Sequence, residues 1–220
     1  MAANGAGPSR GAAIVEAALR ETGRRADALD ARRADNFVPP AIPGPPDAYS
    51  TAPEVLFDAV VSVGFCGALD PSLRVGDIVV ASAIHGPSGE FDAAQPVSSR
   101  PSTSGPVASI DHVAQTASEK ARLRATGAVA VEMEAAGIAP IVRECKIRLF
   151  CIKSVSDLAG EGFSADLNRA LRPDGRFDLV RILLGTAARP LTRAPELLRL
   201  RSRCRKASES LGDFIASCRF

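Results

Sequence analysis

The alternation of apolar and polar residues is clearest between residues 126 and 160, where it predicts a strand, a helix and a second strand. A short apolar run covers 128–131 and ends at a pair of acidic residues. Apolar residues then recur at three- to four-residue spacing over 135–145, which is typical of a helix. A second apolar run covers 148–152 and gives way to a polar stretch. This order indicates an α/β protein.

An acidic residue follows each of these two strands, Glu134 after the first and Asp157 after the second. In open α/β sheets, ligands bind outside the carboxyl ends of the strands. We therefore expect both carboxylates to lie where a small polar ligand would bind. The spacing alone is equally compatible with two solvated residues at the ends of adjacent strands.

The rest of the chain predicts further helices and strands, from a weaker pattern of apolar residues. The predicted strands cover 59–63 and 78–83, and the predicted helices cover 9–19, 116–124, 164–171 and 179–188. Thr116, followed three residues later by Glu119, fits a capping box. Glycine and proline predict a turn over 64–71, another over 73–77, and a loop over 86–108. Residues 36–54 are proline-rich and predict an exposed connection.

The tail, residues 189–220, combines an apolar stripe with positive charge. Eight basic residues stand against three acidic ones, so the tail carries +5 and the remainder of the chain −3. The apolar positions recur at alternating spacings of three and four, which predicts an amphipathic helix: Leu197, Leu200, Cys204, Ala207, Leu211, Phe214 and Cys218. Such a helix would pack on the body or on a second subunit; the alternative is peripheral contact with an anionic membrane.

Composition narrows the classes of function. The chain of 220 residues is long enough for one sizeable core. Its five cysteines lack metal-ligand spacing and indicate reduced thiols and a cytoplasmic protein, and only two histidines are present, so no metal site is predicted. Tyr49 is the sole tyrosine and tryptophan is absent, so no aromatic residues interleave with the basic ones and nucleic acid is not an expected partner.

Three motifs together resemble the nucleoside phosphorylase and nucleosidase superfamily. They are VGFCGAL at 63–69 with VGDIVV at 75–80, AVEMEAAGIA at 130–139, and SVSD at 154–157. The resemblance covers about residues 58–188. TASEK at 116–120 and the arginine-rich tail look most like the hopanoid-associated phosphorylases. VEMEAAGIA looks more like the methylthioadenosine/S-adenosylhomocysteine nucleosidases.

The resemblance implies a three-layer nucleoside phosphorylase-like fold with a central mixed, twisted sheet flanked by helices, and a homo-oligomer. Residues 1–188 would form this domain with the proline-rich segment 36–54 as an insertion, and residues 189–220 would add the basic amphipathic helix. Relatives place strands before a glycine-rich turn that here looks like residues 4–8, at the start of the chain. The N-terminal strands are therefore expected to be missing.

The resemblance also implies a reaction, cleavage of the N-glycosidic bond of a purine nucleoside of adenine type. Asp157 would hydrogen-bond the base and supply or relay its proton. Glu134 would accept the ribose hydroxyls and favour the developing positive charge on the sugar. The residues implied to contact substrate are Cys66, Gly67, Val113, Glu132, Met133 and Ser156. No cofactor is expected.

The nucleophile is predicted to be water. True phosphorylases tend to carry an arginine where Ser62 stands and a serine or threonine where Phe65 stands, both contacting phosphate. Neither is provided here, and Phe65 would occupy volume near the anion. The alternatives are phosphorolysis, with inorganic phosphate as co-substrate, and a nucleoside-binding relative without turnover.

Overall fold

The computed structural model describes residues 15–18, 57–163, 167–172, 178, 182, 187 and 190–220. The insertion predicted at 36–54 lies outside these residues. So do most of the predicted helices 9–19 and 179–188, although residues 15–18 are helical.

The described residues form six strands and four further helices. The strands are β1 (Ala59–Ala68), β2 (Ile78–Gly86), β3 (Gly89–Asp92), β4 (Thr103–Ser109), β5 (Ala130–Glu132) and β6 (Arg148–Asp157). The helices are α1 (Ala117–Arg124), α2 (Ala135–Glu144), α3 (Leu167–Ala170) and α4 (Pro190–Ser217).

All six strands belong to one mixed sheet in the order β3-β2-β4-β5-β1-β6. An additional antiparallel pairing sets residues 78–80 of β2 against 152–154 of β6 and closes five of the strands into a ring. Pairings β1–β6, β2–β4 and β4–β5 are parallel, whereas β1–β5 and β2–β3 are antiparallel. The predicted central mixed sheet is confirmed, in a closed rather than an open form.

Helices cover both faces of this sheet, as predicted. Successive residues of a strand point to opposite faces. Val155 of β6 belongs to the main core cluster together with Ile138 and Val142 of α2. Ile152 of the same strand packs on the other face against Phe214 of α4. The sheet is therefore the middle of three layers.

The prediction of a loop over 86–108 was wrong, because this segment contains β3 and β4. Gly105 and Pro106 lie within β4, and both residues are typical of loops. Gly105 is needed for close packing, since a Cβ atom there would lie 2.7 Å from a methyl carbon of Val129. The carbonyl of Pro106 still accepts a hydrogen bond from the Val129 N–H at 2.8 Å.

Two other strands are longer than predicted. The turn expected over 64–71 is largely β1, which pairs in parallel with β6 as far as Gly67 opposite Asp157. Strand β6 continues through Lys153 to Asp157 instead of ending at 152. The turn over 73–77 is confirmed, with Gly76 at φ +92°, a conformation that favours glycine.

The capping box predicted at α1 is present with one change of partner. Thr116 Oγ1 accepts a hydrogen bond from the backbone N–H of Glu119 at 3.1 Å. The Glu119 carboxylate, however, accepts from the N–H of Gln115 at 3.0 Å, one residue before the cap. The start of α1 is thus fixed from both sides.

Helix α4 confirms the predicted amphipathic C-terminal helix, and its apolar stripe faces the protein. Ala207 and Phe214 are buried, and Leu211 and Cys218 pack against the same cluster. The apolar stripe thus packs on the body of the protein, the first of the two alternatives. Among the helices that the structure describes, none is long and apolar enough to cross a bilayer.

Candidate active site

One cavity of about 380 Å³ lies at the carboxyl end of β1, beneath α4. Its volume is in the range of pockets that bind small molecules. The structure places all eight predicted site residues on its wall: Cys66, Gly67, Val113, Glu132, Met133, Glu134, Ser156 and Asp157. The two acidic residues singled out by the strand pattern therefore share one cavity.

The route by which the two acidic residues meet differs from the prediction. Strands β5 and β6 are not adjacent, because β1 lies between them, and β5 runs antiparallel to β1. Strand β5 is only three residues long, and its Val131 pairs with Gly67 near the end of β1. Glu134, which follows β5, therefore lies near the same end of β1 as Asp157 at the end of β6.

Asp157 is held by two side chains, those of Lys120 and Ser156. Lys120 of α1 donates from Nζ to Asp157 Oδ2, and the same ammonium group donates to the carbonyl of Leu158 at 2.7 Å. The hydroxyl of Ser156 lies 3.0 Å from Asp157 Oδ1 and 3.2 Å from the carbonyl of Cys66, both within hydrogen-bond reach. The Asp157 carboxylate is therefore oriented at both oxygens, beside the cavity.

Glu134 is paired with a second buried lysine. Lys153 of β6 is completely buried, and its Nζ lies 2.8 Å from Glu134 Oε2 and 2.8 Å from Glu132 Oε2. The Glu132 side chain is fully buried, whereas the Glu134 side chain is 26% exposed. Of these two carboxylates, Glu134 is the one that can meet a ligand in the cavity.

The Glu132 side chain has a structural task. Its carboxylate accepts from the N–H of Glu134 at 3.0 Å and from the N–H of Ala135 at 3.0 and 3.2 Å. These amides belong to the start of α2, where N–H groups lack partners within the helix. The side chain of Glu132 thus fixes α2 to the sheet.

The three charges set each other's protonation. Burial raises the pKa of Glu132, but Lys153 and the hydrogen bonds outweigh burial and lower that pKa to about 2. Burial raises the pKa of Glu134; Lys153 opposes this and the negative charge of Glu132 adds to it, so the net shift is upward. Burial alone would lower the pKa of Lys153, yet the two carboxylates hold it well above the usual value. The lysine therefore stays charged.

The remaining predicted residues also line the cavity. Cys66 is buried within the main core cluster, and burial raises the pKa of its thiol well above the usual value. Val113 is fixed by Asn168 of α3, whose amide accepts from the Val113 N–H at 2.8 Å and donates to its carbonyl at 3.0 Å. Met133 is half-buried.

Gly67 allows the close approach of Asp157. A Cβ atom at this position would lie 2.8 Å from Asp157 Oδ2 and 3.2 Å from a methyl carbon of Val131. Because Lys120 holds the carboxylate in place, Gly67→Ala should displace it. We expect kcat/KM for the nucleoside cleavage predicted from the sequence to fall by about 10- to 100-fold. Steady-state kinetics of folded protein measures this. Gly160→Ala is the control, since a Cβ there meets nothing within 4 Å, and equal rates in the two variants would contradict the prediction.

Helix α4 contributes an apolar wall to the cavity. Leu197, Leu200 and Cys204 line it from α4, opposite the polar groups. Arg203 of the same helix pairs with both carboxylate oxygens of Glu161, with Nη2 to Oε1 at 2.9 Å. This ion pair ties α4 to the segment that follows Asp157.

Sequence reasoning missed both buried lysines and the wall from α4. Lys153 could have been found, since a charged residue inside an otherwise apolar strand needs a partner. Lys120 lies in the polar sequence ASEKARLR, and nothing in that pattern marks it as buried. The stripe of α4 was identified, but not which surface it covers.

The fold and the cavity define an α/β protein with a small-molecule site at the end of a mixed sheet. Residues 97–176 match the family model described as the phosphorylase superfamily. The match includes the AVEMEAAGIA and SVSD motifs and confirms the resemblance. None of the curated proteins matches the chain.

Several solved structures are similar to this chain. A methylthioadenosine/S-adenosylhomocysteine nucleosidase from Colwellia psychrerythraea, in complex with adenine, is 25% identical over 67% of each chain, with a TM-score of 0.42. The corresponding Helicobacter pylori enzyme is 16% identical over 73% of this chain and 67% of its own, with a TM-score of 0.49.

Coverage of the relatives is partial. An S-adenosylhomocysteine nucleosidase from Streptococcus pyogenes is 18% identical, with a TM-score of 0.41, and the similarity spans 46% of this chain and 56% of that one. This chain therefore spans little more than half the length of that relative.

Proposed function

We propose that this chain cleaves the N-glycosidic bond of a purine nucleoside of adenine type by hydrolysis. The observation that carries the proposal is the convergence of Asp157 and Glu134 on one cavity, each held by a buried lysine. Cleavage of this bond creates a cation-like sugar and a base that must take up a proton. The two carboxylates match these two needs.

The roles follow from the surroundings of each carboxylate. Asp157 serves the base, oriented by Ser156 and Lys120. Glu134 accepts the ribose hydroxyls, and its negative charge favours the transition state. Val113 packs against the base, while Met133 and the backbone of Glu132 contact the sugar. The backbone of Cys66 and Gly67 completes the wall between them.

Hydrolysis is favoured over phosphorolysis by the charge of the cavity. Within the part of the chain that the structure describes, no lysine or arginine lines the cavity. The ionisable side chains that line it are His112, Glu132, Glu134, Asp157, Cys66 and Cys204. Phe65 also lines the cavity. Inorganic phosphate would be repelled by the three acidic side chains there, and the imidazole of His112 is already paired with Asp111 and Glu119. Water is uncharged and is not repelled.

The lining also favours a nucleoside without a phosphate group. Phe163, Leu167, Leu197 and Leu200 make much of the wall apolar. A nucleoside such as methylthioadenosine or 5′-deoxyadenosine would bury its 5′ side without leaving a charge unpaired.

The test is adenine release from methylthioadenosine and from 5′-deoxyadenosine, followed by chromatography with and without inorganic phosphate. We expect free adenine and free sugar at rates that phosphate does not change. Strict dependence on phosphate, with a sugar 1-phosphate as product, would replace hydrolysis by phosphorolysis. Binding of these nucleosides by folded protein without any turnover would favour the non-catalytic alternative.

A further inference from the structure

Lys120 is the one residue of helix α1 that is buried, and it is charged. Helix α1 has eight residues. The side chain of Lys120 is only 1% exposed to solvent. Lysine is among the residues least often buried in proteins. Besides Leu123, which packs against a small core cluster, the helix therefore turns a charged group towards the protein.

The ammonium group of Lys120 has few partners. Its Nζ donates to Asp157 Oδ2 and to the Leu158 carbonyl, and it lies 5.8 Å from the centre of the Phe163 ring. A buried charge of this kind must be compensated. Of these partners Asp157 is the one acidic side chain, so Lys120 and Asp157 form a salt bridge.

Stability does not by itself account for such a pair. Replacing a buried ion pair with apolar residues of similar volume is often neutral or stabilising. Here the pair also lies beside the cavity, because Asp157 lines it and its side chain is 12% exposed. The arrangement places a proton donor, Lys120, behind a carboxylate that faces a ligand.

We propose that Lys120 is a positioning residue that supplies, through Asp157, the proton taken up by the departing base. This inference rests on the proposed function. As the bond from sugar carbon to base nitrogen breaks, its electron pair goes to the base. The Lys120 ammonium gives a proton to the Asp157 carboxylate, and Asp157 passes a proton to a ring nitrogen of the base. Water forms the new bond to the sugar carbon and loses a proton to solvent, from which Lys120 is recharged.

The proposal distinguishes substrates by their leaving group. Adenine needs a proton to depart, whereas 4-nitrophenolate leaves as a stable anion. We expect Lys120→Met to lower kcat/KM for methylthioadenosine by about 100-fold or more, the usual scale of general acid catalysis. For 4-nitrophenyl ribofuranoside the same variant should stay within about threefold of the wild type, because this leaving group gains nothing from general acid catalysis. Arg122→Met, at an exposed position of the same helix, is the control.

A second variant guards against loss of folding. Lys120→Arg keeps the positive charge beside Asp157 but does not give up its proton. We expect it to remain folded, by thermal unfolding and circular dichroism, and to lose methylthioadenosine cleavage while retaining the nitrophenyl activity. Wild-type rates in Lys120→Arg, or equal losses on both substrates in either variant, would overturn proton supply by Lys120. Wild-type protein that cleaves neither compound would overturn the proposed function and this inference with it.

Discussion

Asp157→Asn should lower kcat/KM for methylthioadenosine by about 10²- to 10⁴-fold, the range expected when a general acid is removed. The amide has nearly the same shape as the carboxylate, so the cavity keeps its volume. It cannot, however, pass a proton to the base. Release of adenine by folded protein, followed in a steady-state assay, measures the effect.

The same substitution also affects stability, and the two effects must be separated. Asparagine leaves the Lys120 ammonium buried without a negative partner, which should cost on the order of 3 kcal/mol of unfolding free energy. The double variant Lys120→Met/Asp157→Asn removes both charges, and we expect it to regain stability without regaining activity. Asp92→Asn, on an exposed position of β3, is the matched control. Wild-type turnover in Asp157→Asn would refute the role of this residue.

The acidic half of the site could be predicted from the sequence. Glu134 and Asp157 each follow an apolar run, and the local pattern is sufficient to place both at strand ends. What the pattern could not supply was the arrangement of the strands. In the sheet β1 lies between β5 and β6, and this order depends on pairings between residues far apart in the chain. The prediction of adjacent strands was therefore wrong although the convergence of the two residues was not.

The buried lysines of the site could not be placed from the local sequence pattern. Lys120 precedes Asp157 by 37 residues, and its burial results from how α1 packs against the end of β6. Strand β4 was missed for a related reason, since Gly105 and Pro106 look like a loop until Val129 is known to pack there. Local composition indicates which secondary structure a residue prefers. At these positions, contacts with residues distant in sequence determine the structure instead.

Lys153 should be the residue whose loss most destabilises the described fold. It is the shared cation of Glu132 and Glu134, and it is fully buried. Lys153→Met leaves two carboxylates facing each other without a positive partner, so we expect the unfolding free energy to fall by about 3–5 kcal/mol. Urea unfolding, compared with the exposed control Lys206→Met, measures this loss.

The pH dependence of that loss identifies its cause. The pKa of Glu132 is lowered from 4.5 to about 2 in the folded protein. A lowered pKa stabilises the fold above pH 4.5, and the contribution disappears as pH falls towards 2. The difference in stability between wild type and Lys153→Met should therefore shrink over this interval. Glu132→Gln/Lys153→Met should be more stable than Lys153→Met at neutral pH, because one uncompensated charge is removed. A loss that stays constant from pH 7 to pH 2 would show that packing, and not charge, is what Lys153 contributes.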